Sequence, residues 1–117
     1  MMNKYGANEY SIKVSDGEYR NIMLGWQKLM PRFNDGIWCK MKRSDRINIT
    51  SKSGNGRVRI EEIYEYDDIK SGMCDKNFMS IVPRAIRFSD AYNYVVYCLR
   101  NGNWNTSFIL VEIKVID

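Results

Sequence analysis

Gly25-Trp26-Gln27-Lys28-Leu29-Met30-Pro31-Arg32, followed ten residues on by Lys42-Arg43-Ser44-Asp45-Arg46-Ile47, is the part of the chain whose reading decides the fold. Upstream of it, Ser15-Asp16-Gly17-Glu18 has the S-x-x-E spacing of a capping box, in which the serine oxygen and the glutamate side chain satisfy free backbone N–H groups. Tyr19, Ile22 and Met23 then recur at helical spacing, and Gly25 can take the left-handed conformation that ends a helix. Pro31 has no N–H to give to a sheet ladder, so residues 28–33 are expected as an edge strand or the start of one. The second block reads as a basic turn opening a strand with Ile47 and Ile49 on one face.

Outward from these segments the chain alternates strand and helix signals. Tyr-Ser-Ile-Lys-Val at 10–14 predicts a half-buried strand, with residues 1–9 as an N-terminal arm and 10–117 as one domain. Asn34-Asp35-Gly36 is a turn signal, and Ile37 to Lys42 is partly apolar. Ser51 to Gly56 is expected as the most flexible loop, within a hairpin. A long strand follows over 57–66, where the step from Val58 and Ile60 to Ile63 across two glutamates predicts a bulge or bend. Residues 67–79 read as one or two helical turns interrupted at Gly72, with Pro83 closing the segment. Ser89 to Leu99 is a second amphipathic helix capped by Ser89 or Asp90, with Tyr92, Val95, Val96 and Leu99 as its stripe. The apolar run at 107–116 suits a strand inside a barrel or sheet.

With 117 residues and 44% hydrophobic content, the chain can build one core and not two. It has no run of 18 apolar residues, and no apolar segment follows the charge at its N-terminus, so a soluble intracellular protein of cytoplasm or nucleus, without a membrane partner, is expected. Cys39, Cys74 and Cys98 are too few and too widely spaced for a disulfide framework or a metal knuckle and are expected as buried thiols. The absence of histidine excludes a histidine-based triad and a typical zinc site, and no metal or cofactor is assigned. The net charge of +4 is unevenly spread: residues 28–59 hold nine basic and two acidic side chains, net +7, and the remainder is net −3. Such a basic segment is the electrostatic footprint of a surface that meets phosphates, against the alternative of a solvated strand face.

The order helix, glycine, strand, basic turn, strand resembles the ASCH domains, small members of the PUA-like superfamily. In that family a helix ends at the glycine of a G-x-K-x-x-x-x-R motif and a K-x-G-D turn starts the next barrel strand. Gly25 and Arg32 keep their places here, and Lys42 and Asp45 frame the turn, while the motif lysine falls on Gln27 and the Thr or Glu position on Met30. The match covers Tyr10 to about Glu65. Phe78 to Leu99 resembles the family's helical insertion with its Val-Pro step, and Phe108 to Ile116 its final strand. The resemblance implies an α+β fold, a small PUA-like β-barrel with flanking helices, and a cleft that binds RNA or a nucleotide-like ligand. One enzymatic branch, the N4-acetylcytidine amidohydrolases, uses the motif lysine and threonine with a separate glutamate. Gln27 neither titrates nor attacks, and Met30 offers no hydroxyl.

The candidate nucleic-acid contacts are therefore Gly25, Trp26, Gln27, Lys28, Arg32 and Trp38, together with the basic cluster Lys40, Lys42, Arg43 and Arg46. Arg32 can grip a phosphate or base edge bidentately, or else buttress the turn through a carboxylate such as Asp45. The tryptophans can stack unpaired bases, although core packing is their commoner fate. Tyr64 and Tyr94 are further candidates for ligand contact. Single-stranded RNA is the favoured partner and a nucleoside the alternative ligand. A second hypothesis is a ribonuclease or nucleoside-modifying hydrolase that uses Lys28, Arg32 and Glu61. A third is a protein-interaction module with a vestigial cleft.

Overall fold

The computed structural model describes residues 7–116. Five strands, β1 (Glu9–Lys13), β2 (Leu29–Phe33), β3 (Arg46–Ser51), β4 (Gly54–Tyr66) and β5 (Phe108–Ile116), form one curled half-barrel sheet in the order β1-β3-β4-β5-β2. Three helices, α1 (Asp16–Met23), α2 (Ile69–Asp75) and α3 (Phe88–Cys98), flank it, giving the expected α+β class. Only β1 and β3 pair in parallel, and the other neighbours are antiparallel. No helix among the described residues is long and apolar enough to cross a membrane.

The sheet has a core on each face, and β5 explains why. As an inner strand it sends Ile109, Val111 and Ile113 into one core with Ile22, Met30, Ile47 and Ile60. Its Phe108 and Leu110 enter the other, with Leu29, Ile69, Met73 and Val95. A strand buried on both sides must read as a continuous apolar run, which is the pattern at its sequence positions. The bulge falls between Ile60 and Glu62, leaving Glu61 outside the ladder. That extra residue shifts the side-chain phase by one, so that Val58 and Ile60 before it and Ile63 after it all pack on the same core.

α1 stops as its sequence predicts. Gly25 has φ +78°, the Trp26 N–H donates to the Asn21 carbonyl at 2.9 Å, and the Gly25 N–H donates to the Ile22 carbonyl at 2.9 Å. These bonds make a Schellman stop. β2 lies at the sheet edge, where the missing N–H of Pro31 does least harm.

Several expectations need correction. The expected hairpin after β3 closes on Ser51 paired to Gly54, so residues 54–56 belong to β4 rather than to a loop. α2 runs through Gly72 without interruption, because the missing side chain serves packing: a Cβ there would lie 2.6 Å from the Phe108 ring and 2.8 Å from Tyr66. α3 begins one residue earlier than expected, and its cap position is Arg87, with no side-chain capping bond from Ser89 or Asp90. Cys39, Cys74 and Cys98 are all exposed, since each sits on the outward side of its helix or turn. The arm at 1–9 lies mostly outside the described residues, yet its end is part of the fold: Glu9 opens β1 and Asn8 is bonded to Asp45.

Asp45 organises the basic turn. Its fully buried carboxylate accepts the Asn8 N–H at 3.0 Å and the Lys42 N–H at 2.9 Å, tying the start of β1 to the turn before β3. Ser44, just before it, has φ +77°, where a Cβ is strained. Ser44→Gly should raise the unfolding free energy by about 1 kcal/mol, whereas Asp45→Ala should lower it by about 3 kcal/mol by removing two charge-assisted bonds. Urea denaturation of the two variants beside the parent checks both signs.

Candidate nucleic-acid interface

The Ser15 half of the capping box forms, its Oγ accepting the Glu18 N–H at 3.1 Å. The glutamate half does not, because two side chains from beyond the helix claim Glu18 instead. Arg32 meets it bidentately, with Nη2 to Oε1 at 2.8 Å and Nη1 to Oε2 at 3.2 Å. Gln27 Nε2 donates to Oε2 at 3.1 Å and to the Leu29 carbonyl at 3.1 Å. Arg32 also donates to its neighbour's carbonyl at Pro31, at 2.7 Å, and its guanidinium lies 5.1 Å from the centroid of the Trp38 ring. The carboxylate that Arg32 grips is thus Glu18, not Asp45. With glutamine where a lysine could stand, the constellation is one anion, one cation and a neutral donor.

This group forms one wall of a cleft of about 450 Å³. α1 contributes Glu18 from its first turn and Arg20 from its last, and the edge strand contributes Pro31 and Arg32. Opposite stand Ile81, Val82, Pro83 and Arg84 from the segment before α3, with Tyr94 and Cys98 from α3 itself. Pro31, Ile81 and Val95 are its buried apolar lining beside the buried Gln27 amide, and Arg20 and Arg84 are exposed at its edge. Those two arginines make no side-chain hydrogen bond or ion pair among the described residues. The Tyr94 ring is half exposed, and its hydroxyl is pushed up to about 12 by burial first, then by its hydrogen bond with Cys98 and the neighbouring charges of Cys98 and Glu18, so it stays neutral at physiological pH.

The remaining sequence candidates divide among other surfaces. Gly25 and Lys28, with Gln27, line a second groove of about 460 Å³ that also holds Glu61 and Glu112. Glu61 is paired to Arg59, Nε to Oε2 at 3.0 Å, and that hydrogen bond, with the charges of Arg59, Lys114 and Arg43, holds its carboxyl below the usual range. Trp38, Lys42 and Arg43 line a third groove of about 320 Å³. Trp38 is half buried against the first core, and Trp26 is 55% exposed. Lys40, Arg46 and Trp26 line none of these three depressions. Of the candidates, Gln27, Arg32 and Tyr94 meet in the first cleft, and Lys28 and Glu61 lie in a groove that Arg32 does not line. Tyr64 donates to Glu112 at 2.8 Å and carries Lys76 3.7 Å above its ring.

The fold is shared with solved structures. Hypothetical protein PH0355 superposes with a TM-score of 0.77 at 16% identity, covering 92% of this chain and 99% of that one. Protein PF0455 from Pyrococcus furiosus, solved by solution NMR, gives 0.71 at 15% identity over 93% and 98% of the two chains. The S128A mutant of ZmASCH from Zymomonas mobilis gives 0.62 at 14% identity over 94% and 74%. The chain has the ASCH fold. No protein-family model and no curated protein sequence matches it.

On that ASCH fold, the glycine and arginine of the motif occupy a helix stop and a cleft wall, while Gln27 presents an amide at the lysine's place. Sequence reasoning missed Glu18, Arg20 and Arg84. Glu18 was hidden by its capping spacing, and Arg84 follows the Val82-Pro83 step that could have drawn attention to it. The Glu18 and Arg32 side chains are 17% and 19% exposed, so their pair is partly shielded from solvent. A double-mutant cycle with Glu18→Ala and Arg32→Ala should return a coupling of about 1 kcal/mol in urea denaturation, and a value near zero would show the pair to be energetically idle.

Proposed function

We propose that the protein binds RNA, or a nucleotide-like ligand, by holding one unpaired nucleotide in the cleft between α1, β2 and α3. The observation that carries this reading is the pairing of chemistry there: a buried apolar lining and a half-exposed tyrosine ring for a base, with two uncommitted arginines for phosphate. Arg32 is the wall of that site more than its hand, since its donors already serve Glu18 and Pro31. Guanidinium groups match phosphate geometry, and their contacts supply affinity that falls with salt. A base flipped out of a loop can stack on Tyr94, whereas a paired base cannot leave its duplex without cost. Single-stranded RNA is accordingly favoured over duplex.

The hydrolase alternative draws less support. Lys28 and Glu61 share a groove that Arg32 does not line, and the lowered Glu61 carboxyl is a weaker proton acceptor than an unperturbed one.

Fluorescence anisotropy with labelled single-stranded RNA, duplex RNA and single-stranded DNA at several salt concentrations tests the proposal. Arg20→Ala with Arg84→Ala should reduce the log-log salt slope by about 0.7 for each phosphate that the protein no longer neutralises. Tyr94→Leu should weaken single-strand binding by about 1–3 kcal/mol without changing that slope. A parent protein with no saturable affinity at low salt would falsify the reading and favour a protein-interaction module.

A further inference from the structure

We propose that a bound strand does not end in the cleft but crosses the Arg32–Trp38 stack into the third groove, where Lys42 and Arg43 take its neighbouring phosphates. This inference rests on the cleft's being a nucleotide site and adds the path of the chain beyond it. Arg32 lines the cleft, and Trp38, with Arg32 5.1 Å from its ring centroid, lines the groove. Their stack is therefore the saddle between the two depressions.

Charge chooses this exit over the others. The strand arginines Arg57 and Arg59 are tied to Glu9 and Glu61, at 3.2 Å and 3.0 Å. The second groove sets Lys28 and Lys114 against Glu61 and Glu112, so a phosphate entering it meets as many anions as cations. In the third groove Lys42 and Arg43 are exposed, and neither side chain makes a hydrogen bond or ion pair among the described residues. Its one acid, Glu65, accepts from Asn34 Nδ2 at 3.1 Å and from the Ser107 hydroxyl at 2.5 Å, so the third groove sets two cations against a single anion where the second sets two against two. Trp38 carries Arg32 over its ring and packs against the core, so the groove's ligand is the sugar-phosphate backbone rather than a second stacked base. The cleft reads the nucleotide and the groove holds the strand, a division common to single-strand binders.

The test compares a nucleoside monophosphate with a single-stranded oligonucleotide carrying the same nucleotide, using the parent, Lys42→Ala/Arg43→Ala, and Lys28→Ala/Lys114→Ala, with unfolding midpoints measured for all three. The parent should bind the oligonucleotide about tenfold or more tighter than the mononucleotide. The Lys42/Arg43 double variant should forfeit that advantage, keep its mononucleotide affinity, and show a salt slope smaller by about 1.4, at about 0.7 per phosphate on a single strand. The Lys28/Lys114 variant should match the parent. If oligonucleotide affinity is insensitive to Lys42 and Arg43 while the Arg20/Arg84 variant still weakens it, the path is wrong and the cleft reading stands. If neither ligand binds the parent, both are wrong.

Discussion

The Glu18 carboxylate ties α1 to the edge strand. The helix itself rests on β3 and β4, with Ile22 in the core and the Tyr19 hydroxyl donating to the Asn55 carbonyl at 3.2 Å, and among the described residues β2 pairs with the sheet only through β5. A bidentate bond from Arg32, reinforced by Gln27, supplies a directional tie between helix and strand, and the Arg32 guanidinium continues it onto Trp38. That tie is what joins α1 to the edge strand, and the cleft wall the two form depends on it. Gln27 matters here for being neutral: a second cation beside Glu18 would leave excess positive charge in the wall, while the amide completes the carboxylate's bonding and anchors itself on the Leu29 carbonyl.

Partners divide the basic residues. Nine of them lie within residues 28–59, yet they do not face one way. Arg32 is committed to the wall, Arg57 and Arg59 are paired across or along their strands, and the Lys42 and Arg43 side chains, without a hydrogen bond or ion pair among the described residues, stand at a turn that Asp45 fixes from beneath. The cleft's own uncommitted cations, Arg20 and Arg84, come from outside that segment. A linear count of charge thus identifies a basic protein without saying which of its cations share a depression.

The legible parts of the fold were those decided by backbone chemistry over a few residues. Gly25 ends α1, Pro31 marks the edge, and the step from Ile60 to Ile63 marks the bulge, each because one local geometry fits. What escaped depends on distant partners. S-x-x-E spacing cannot say whether Glu18 will turn back to its own helix or reach a residue fourteen positions on, and Gly72 looks like a break until the Phe108 ring fills the space a side chain would need. The candidate residues divide among a cleft and two grooves, and neighbours in sequence need not share one: Arg32 lines the cleft, Lys28 the second groove and Lys42 the third.

A backbone-amide NMR titration of the protein with a nucleoside monophosphate locates the binding surface directly. A nucleotide held in the cleft should give saturable shifts confined to the first turns of α1, the Pro31–Arg32 stretch, the 81–85 segment and the face of α3 that carries Tyr94. Shifts clustered instead around Lys28 and Glu61, or spread evenly over the basic surface without saturation, would contradict a nucleotide site between α1, β2 and α3.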